Sequence, residues 1–322
     1  MSKRLAYTLA FLLLLLITIT IAKLLEINKS ANLVDTIQNP VAIQDPVSIQ
    51  KKIQKQYVVV NDTIRIEDYF DFMDSLVTAH DSIADYPLSE HILVHLNSWI
   101  IDTLANTDYY SMMQKDSFTY DQRKLIVLRP KDSIFIPDSL EVSSILETFA
   151  KLRIDINLPE YKLRIYEDSL LLYTYPIRIG QNKTKYLKMN NRLTDLRTKQ
   201  GNGKIIAYRK NPDFYNPATG KKFLQTRRDD GKTTLMPQIP WLVTEIDGIR
   251  NGQLIHPTTN PKTLGKAYSN GCIGVKESDA WYIYYHCPIG TEINIRYDLK
   301  IINNKGTEIV LDNIYELDMR SY

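Results

Sequence analysis

Ile255-His256-Pro257-Thr258-Thr259-Asn260-Pro261-Lys262-Thr263-Leu264-Gly265-Lys266-Ala267-Tyr268-Ser269-Asn270-Gly271-Cys272-Ile273-Gly274-Val275 is the stretch that decides how this chain reads. It holds His256 and, sixteen positions later, Cys272, one of only two cysteines. Cys272 stands in Ser269-Asn270-Gly271-Cys272-Ile273-Gly274, a small, polar, glycine-flanked setting that leads into an apolar run. A structural cysteine is more often set among apolar neighbours, whereas a reactive thiolate needs charge or backbone amides beside it. Histidine is its usual partner, because a pKa of about 6.5 lets it take and return a proton near neutrality. The order strand, His256, loop, Cys272, strand lets two adjacent strands present both side chains at one sheet end. Ser269, Asn270 and Gly271 form the loop before the thiol. Glycine there lets the amides from Asn270 to Cys272 come close to a substrate oxyanion. The pattern reads as a Cys/His acyl transferase.

The flanks of this stretch predict strands. Leu152, Ile154, Ile156 and Leu158 alternate with charged residues, as do Tyr161, Leu163 and Ile165. Further β-like runs are 170–179, 204–208, 241–246, 253–256, 273–275 and 291–297, with one helix at 278–286 that Ser278 or Asp279 can cap. Period-2 runs broken by Gly, Asn and Pro predict a mostly β domain over 150–298, followed by a C-terminal extension, 299–322, with room for an edge strand or hairpin. Residues 57–149 read differently. Helical spacing over 67–79 and again over 89–104, and a hairpin-like pair at 124–128 and 133–136, predict an α-rich accessory domain. The overall class is therefore α+β.

The N-terminal segment 1–25 carries a basic lead, Lys3-Arg4, and then eighteen uncharged residues, 5–22. At ~1.5 Å per residue that is roughly 27 Å of helix, close to a hydrocarbon core. The positive lead places the N-terminus in the cytoplasm and the body outside it. An N-terminal signal anchor is the expectation, followed by a stalk over 26–56 that is rich in Asn, Gln and Lys and contains Pro40 and Pro46. The expected location is the cell envelope, on the outer face of the cytoplasmic membrane. A net charge of +3, from 40 basic and 37 acidic residues, offers no field for nucleic acid.

The stretch Ile255-His256 through Ser269-Asn270-Gly271-Cys272-Ile273, with Ser278-Asp279-Ala280-Trp281-Tyr282 and Gly290-Thr291-Glu292-Ile293 after it, resembles the L,D-transpeptidase (YkuD-like) catalytic domain. Residues 154–180 are similar to that domain's opening hairpins. The resemblance implies a β-sandwich-like domain in which Cys272 is the nucleophile and His256 the general base and acid, oriented by a backbone carbonyl just after it. It implies peptidoglycan stem peptides as donor and acceptor: a tetrapeptide loses D-alanine and a 3→3 cross-link forms. Water as acceptor would make the chain an L,D-carboxypeptidase, and loss of activity would leave a wall-binding scaffold. No cofactor or metal is expected.

Three positions depart from the family pattern. Asn270 stands where a second histidine is usual, and Gly274 where arginine is usual, with Arg250 and Lys276 as candidates for the missing charge. The family's Thr-Pro-x-Gly turn reads Thr198-Lys199-Gln200-Gly201. Of the remaining chemistry-bearing residues, Cys287 reads as a buried apolar residue or a disulfide partner for Cys272. Arg227-Arg228 reads as a solvated loop, and His80, His91 and His95 read as surface or capping residues. The polar insertion 208–238 is either a lid or a decorated hairpin.

Overall fold

The helical periodicity over 67–79 forms α1, Ile66–Asp81, which buries Tyr69, Phe70, Met73 and Leu76 along one face. The 89–104 run makes two helices rather than one: α2, Glu90–Leu96, and α3, Trp99–Ala105. Asn97 breaks them apart. Its backbone leaves the helical region at φ −119°, ψ 50°. Its side chain exchanges hydrogen bonds with the Phe135 backbone, accepting at 2.9 Å and donating at 3.0 Å. A short α4, Tyr109–Met113, follows. Next comes α5, Ser139–Ala150, started by a capping box between Asp138 and Glu141.

The runs at 124–128 and 133–136 do form strands, but they do not pair with each other. Ile126–Leu128 pairs with Ile64–Arg65, and Ser133–Ile136 with Gln56–Val59, both antiparallel. The turn between them is itself laid on the N-terminal segment. Lys131 N donates to Val60 O and Val60 N to Asp132 O, each at 2.8 Å. The computed structural model describes residues 56–81, 86–250, 252–303 and 305–318, and these fall within the single unit Gln54–Tyr322.

Residues 152–296 build one eight-stranded mixed sheet from β1 Leu152–Asn157, β2 Lys162–Glu167, β3 Leu170–Pro176, β4 Gly201–Arg209, β5 Trp241–Ile246, β6 Leu254–Pro257, β7 Ile273–Val275 and β8 Glu292–Arg296. The order across it is β7-β6-β5-β4-β8-β1-β2-β3. Pairs β6/β7 and β8/β1 are parallel and the others antiparallel. In place of the expected sandwich there is one large sheet with small ribbons beside it, including Ile179–Gly180 against Ala267–Ser269. Ile154, Ile156, Leu163, Ile165, Ile293 and Ile295 give the sheet its buried residues.

Helix α6, Glu277–His286, packs against α2, α3 and β6, and buries Trp281, Ile283, Tyr284 and Tyr285. Its expected cap by Ser278 or Asp279 does not form. Asp108, at the start of α4, accepts from Ser278 N instead, at 3.1 Å. Around α6 the tyrosines end on one buried carboxylate. Tyr285 OH donates to Glu90 at 2.6 Å and meets Tyr69 OH at 2.6 Å, while Lys210 Nζ pairs with Glu90 at 2.8 Å. Phenylalanine could not partner Glu90, which is 6% exposed. His91 is buried as well, contrary to its reading as a surface residue. Its Nε2 meets Tyr284 O at 3.0 Å and its ring stacks on Tyr208.

Arg228 is another correction, since it is buried rather than solvated. It pairs with Glu277 at the start of α6, donates to Gln122 at 2.7 Å and to Thr234 at 2.8 Å, and lies over the Tyr109 ring. In the C-terminal extension, Lys300–Ile302 and Glu308–Val310 form an antiparallel hairpin and Tyr315 turns inward. Among the described residues no helix is long and apolar enough to cross a membrane. The apolar segment 5–22, where the anchor is expected, lies outside them.

Candidate active site

His256 and Cys272 are brought together by strand register. Strands β6 and β7 run parallel, with Ile255 opposite Ile273 and His256 opposite Gly274. Cys272 immediately precedes β7, so the register carries it alongside the start of β6, whose Leu254 amide faces the sulfur two residues before His256. The sulfur rests over the segment entering β6: Cys272 Sγ lies 3.9 Å from Gly252 O.

The His256 ring is held by its own strand. Nδ1 lies 2.8 Å from Pro257 O. A carbonyl can only accept, so Nδ1 carries the hydrogen and Nε2 presents a lone pair. The ring packs on Trp241 of β5 at 5.1 Å between centroids, and Trp241 packs on Phe214 at 5.5 Å. The insertion 208–238 thereby reaches the histidine through a column of rings. It also meets the hairpin formed by Thr184–Leu187 and Arg192–Asp195, where Met189 N donates to Pro217 O at 3.2 Å.

The loop before Cys272 is fixed by short bonds. Ser269 Oγ donates to Cys272 O at 2.6 Å and accepts from Gly271 N at 3.2 Å. Gly271 has φ +112°, a conformation that side-chain-bearing residues avoid. Its N–H is turned toward Ser269 and is therefore already engaged within the loop. Asn270 is exposed. Behind the loop, Thr198 Oγ1 donates to Gly271 O at 3.0 Å and accepts from Gly180 N at 2.9 Å.

Burial and charge set the proton affinities. His256 is lowered to about 4, first by burial and then by the Arg178 cation, against the opposing pull of Pro257 O. Burial pushes the Cys272 thiol up, while the Leu254 amide, Arg178 and Arg209 act the other way. At neutral pH the resting pair is therefore a neutral imidazole beside a thiol. The expected charge donors are elsewhere: Arg250 is exposed and Lys276 is the N-cap residue of α6. No local motif in the sequence marks Arg178 or Arg209 as part of this site. Cys272 and Cys287 are both free, Cys287 being buried at the end of α6. Among the described residues no cluster of three or more His, Cys, Asp or Glu side chains is arranged to hold a metal.

Residues 151–295 match the family model of the L,D-transpeptidase catalytic domain, YkuD. Similar solved structures include an L,D-transpeptidase from Mycobacterium smegmatis, at 16% identity and a TM-score of 0.32, with 45% of this chain and 58% of that chain covered. One from Xylanimonas cellulosilytica has 14% identity and a TM-score of 0.34, with 75% of this chain and 98% of that one covered. One from Stackebrandtia nassauensis has 16% identity and a TM-score of 0.30, with 45% and 55% covered. The match thus spans less than two thirds of the mycobacterial protein. No curated protein matches. The β-rich region carrying His256 and Cys272 belongs to the L,D-transpeptidase (YkuD) catalytic domain family.

Proposed function

We propose that this chain is a peptidoglycan L,D-transpeptidase with Cys272 as nucleophile and His256 as general base and acid. The observation that carries this reading is the parallel register that sets Cys272, in the segment entering β7, beside the His256 strand, with His256 Nδ1 tied to Pro257 O so that Nε2 is free to accept a proton. In the first half-reaction the thiol proton passes to His256 Nε2 as sulfur bonds to the carbonyl carbon of the third residue of a stem tetrapeptide. The amides flanking Gly271 face the developing oxyanion. His256 returns the proton to the departing nitrogen, the C–N bond breaks, and D-alanine leaves a thioester on Cys272.

In the second half-reaction an amine from a neighbouring stem attacks the thioester and gives a proton to His256. The C–S bond breaks, the thiol is restored, and a 3→3 cross-link forms. A neutral imidazole is the form this cycle needs, and the low proton affinity of His256 supplies it. Water in place of the amine gives the carboxypeptidase reaction, the second reading within the same site. The apolar segment 5–22 would anchor the chain in the cytoplasmic membrane with the catalytic region in the envelope.

The test is intact-protein mass spectrometry of the full chain after mixing with disaccharide-tetrapeptide. The expected result is an acyl adduct of the disaccharide-tripeptide that is absent from Cys272→Ala. A folded, reduced protein that never gains this adduct moves the scaffold reading to the front.

A further inference from the structure

Gly274 stands directly opposite His256 and two residues after Cys272. Its backbone pairs with Arg178 in both directions: Arg178 N donates to Gly274 O at 2.8 Å, and Gly274 N to Arg178 O at 2.9 Å. A Cβ at position 274 would lie 2.5 Å from Arg178 Nε, 2.7 Å from its Cγ and 3.0 Å from its Cδ. The arginine therefore lies across Gly274 in the volume that any side chain there would need. Glycine is the residue that leaves room for it.

The guanidinium is poorly satisfied. Nη1 donates to Thr263 Oγ1 at 3.3 Å, while Nε is buried with no hydrogen-bond partner. The described ion pairs include none to Arg178. Arg178 is half-buried with its Nε shut off from water, and a cation so placed without a counter-ion favours an anion forming or binding beside it. The titratable groups facing Arg178 are Cys272, Tyr268 and His256. Arg178 and Arg209 are the cations acting on Cys272, and Arg178 is the one acting on His256.

We propose that Arg178 is a third functional residue of this centre: its guanidinium, laid across Gly274 from the neighbouring segment, supplies the positive charge that sets the proton balance between His256 and Cys272. The inference rests on the Cys/His reading above and deepens it. The cation adds to burial in lowering the proton affinity of the imidazole, so that the ring stays neutral and able to accept a proton further into acid. It also lowers the cost of negative charge on sulfur as the proton leaves. Gly274 and Arg178 thus form one unit, with the charge carried on one segment and the space for it on the other.

The test uses the full chain in detergent and two readouts that need no peptidoglycan. One is the NMR titration of His256, and the other is the pH profile of Cys272 alkylation by iodoacetamide, located by mass. For Arg178→Met both midpoints should rise, each by about one pH unit or roughly tenfold in the proton equilibrium. A variant that merely loosened the site would admit water, which raises the histidine midpoint and lowers that of the thiol. Opposite movements, or none, in a folded Arg178→Met variant overturn the proposal.

Gly274→Arg alone should suppress thiol reactivity, because two side chains then compete for one volume. Arg178→Met combined with Gly274→Arg should bring both midpoints back toward the wild type. If Arg178→Met fails to fold, the double variant decides, and a folded double variant with both midpoints still raised counts against the proposal. Intact proton equilibria without transpeptidation would count against the proposed function and leave the role of Arg178 standing. Transpeptidation with no effect of Arg178 on either midpoint would do the reverse.

Discussion

Thr198 Oγ1 donates to Gly271 O at 3.0 Å, tying the turn before β4 to the residue that precedes Cys272. The same oxygen accepts from Gly180 N, and the Thr198 N–H donates to Tyr315 OH at 3.1 Å. Tyr315 OH in turn donates to Gly180 O at 2.9 Å. Four sequence-distant segments therefore converge behind the Cys272 loop, and the C-terminal extension is one of them. Gly180 admits this convergence, since a Cβ there would lie 1.9 Å from Leu196 O.

Thr198→Val keeps the shape and removes the hydroxyl, leaving Gly271 O and Gly180 N without that partner. The expected cost is about 1–3 kcal/mol of stability, read from denaturant midpoints. Displacement of the loop should also slow Cys272 acylation, by up to about 100-fold. Thr198→Ser should recover most of both.

His256→Gln should reduce acylation of Cys272 by about 10²–10⁴-fold, the range expected for loss of general acid–base catalysis. In the wild type the acid limb of kcat/KM should fall near the His256 value of about 4. An ordinary histidine would place it near 6.5. A pH–rate profile of thioester formation measures it directly.

His91 makes a separate pH prediction. Burial lowers it to about 4, whereas an unfolded histidine binds its proton near pH 6.5. Between these values the unfolded chain holds more protons, so the contribution is full above about pH 6.5 and is lost as pH falls toward 4. Asp279, raised to about 6 by burial, works in the opposite direction, so the comparison must be differential. The stability difference between wild type and His91→Gln should shrink by about 2 kcal/mol from pH 7 to pH 4.5.

Arg228 and Glu277 form a pair with side chains 0% and 1% exposed. Glu277 also accepts from Gln122 at 2.9 Å and from Tyr109 N at 3.1 Å. The pair joins the 225–235 hairpin, the helical region and α6. Arg228→Met alone should destabilise by about 3–5 kcal/mol, because it strands a buried carboxylate. Adding Glu277→Gln should recover part of that loss, measured by urea unfolding.

Much of the catalytic region could be read from the sequence because its signals are local. The alternation over 152–158 and the apolar runs at 241–246 and 273–275 became strands within a residue or two. The helix over 278–286 was equally plain. Pairing was not local. The partner of 133–136 is 56–59, far away in sequence, and the Asn97 break depends on the backbone of Phe135. The site divides in the same way. His256 and Cys272 lie in one stretch with a recognisable spacing. Arg178 acquires its place only when its segment pairs with Gly274, and Arg228 looks solvated until Glu277 is folded onto it.

Cys272-dependent transfer between stem peptides is the activity on which the proposed function stands. The most direct measurement is product analysis by mass spectrometry, with the full chain and purified disaccharide-tetrapeptide, beside Cys272→Ala. The expected products are cross-linked dimers lacking one D-alanine, formed by the wild type and absent from the variant. Unchanged tetrapeptide with folded, reduced wild-type protein, or dimers that persist in Cys272→Ala, would contradict it.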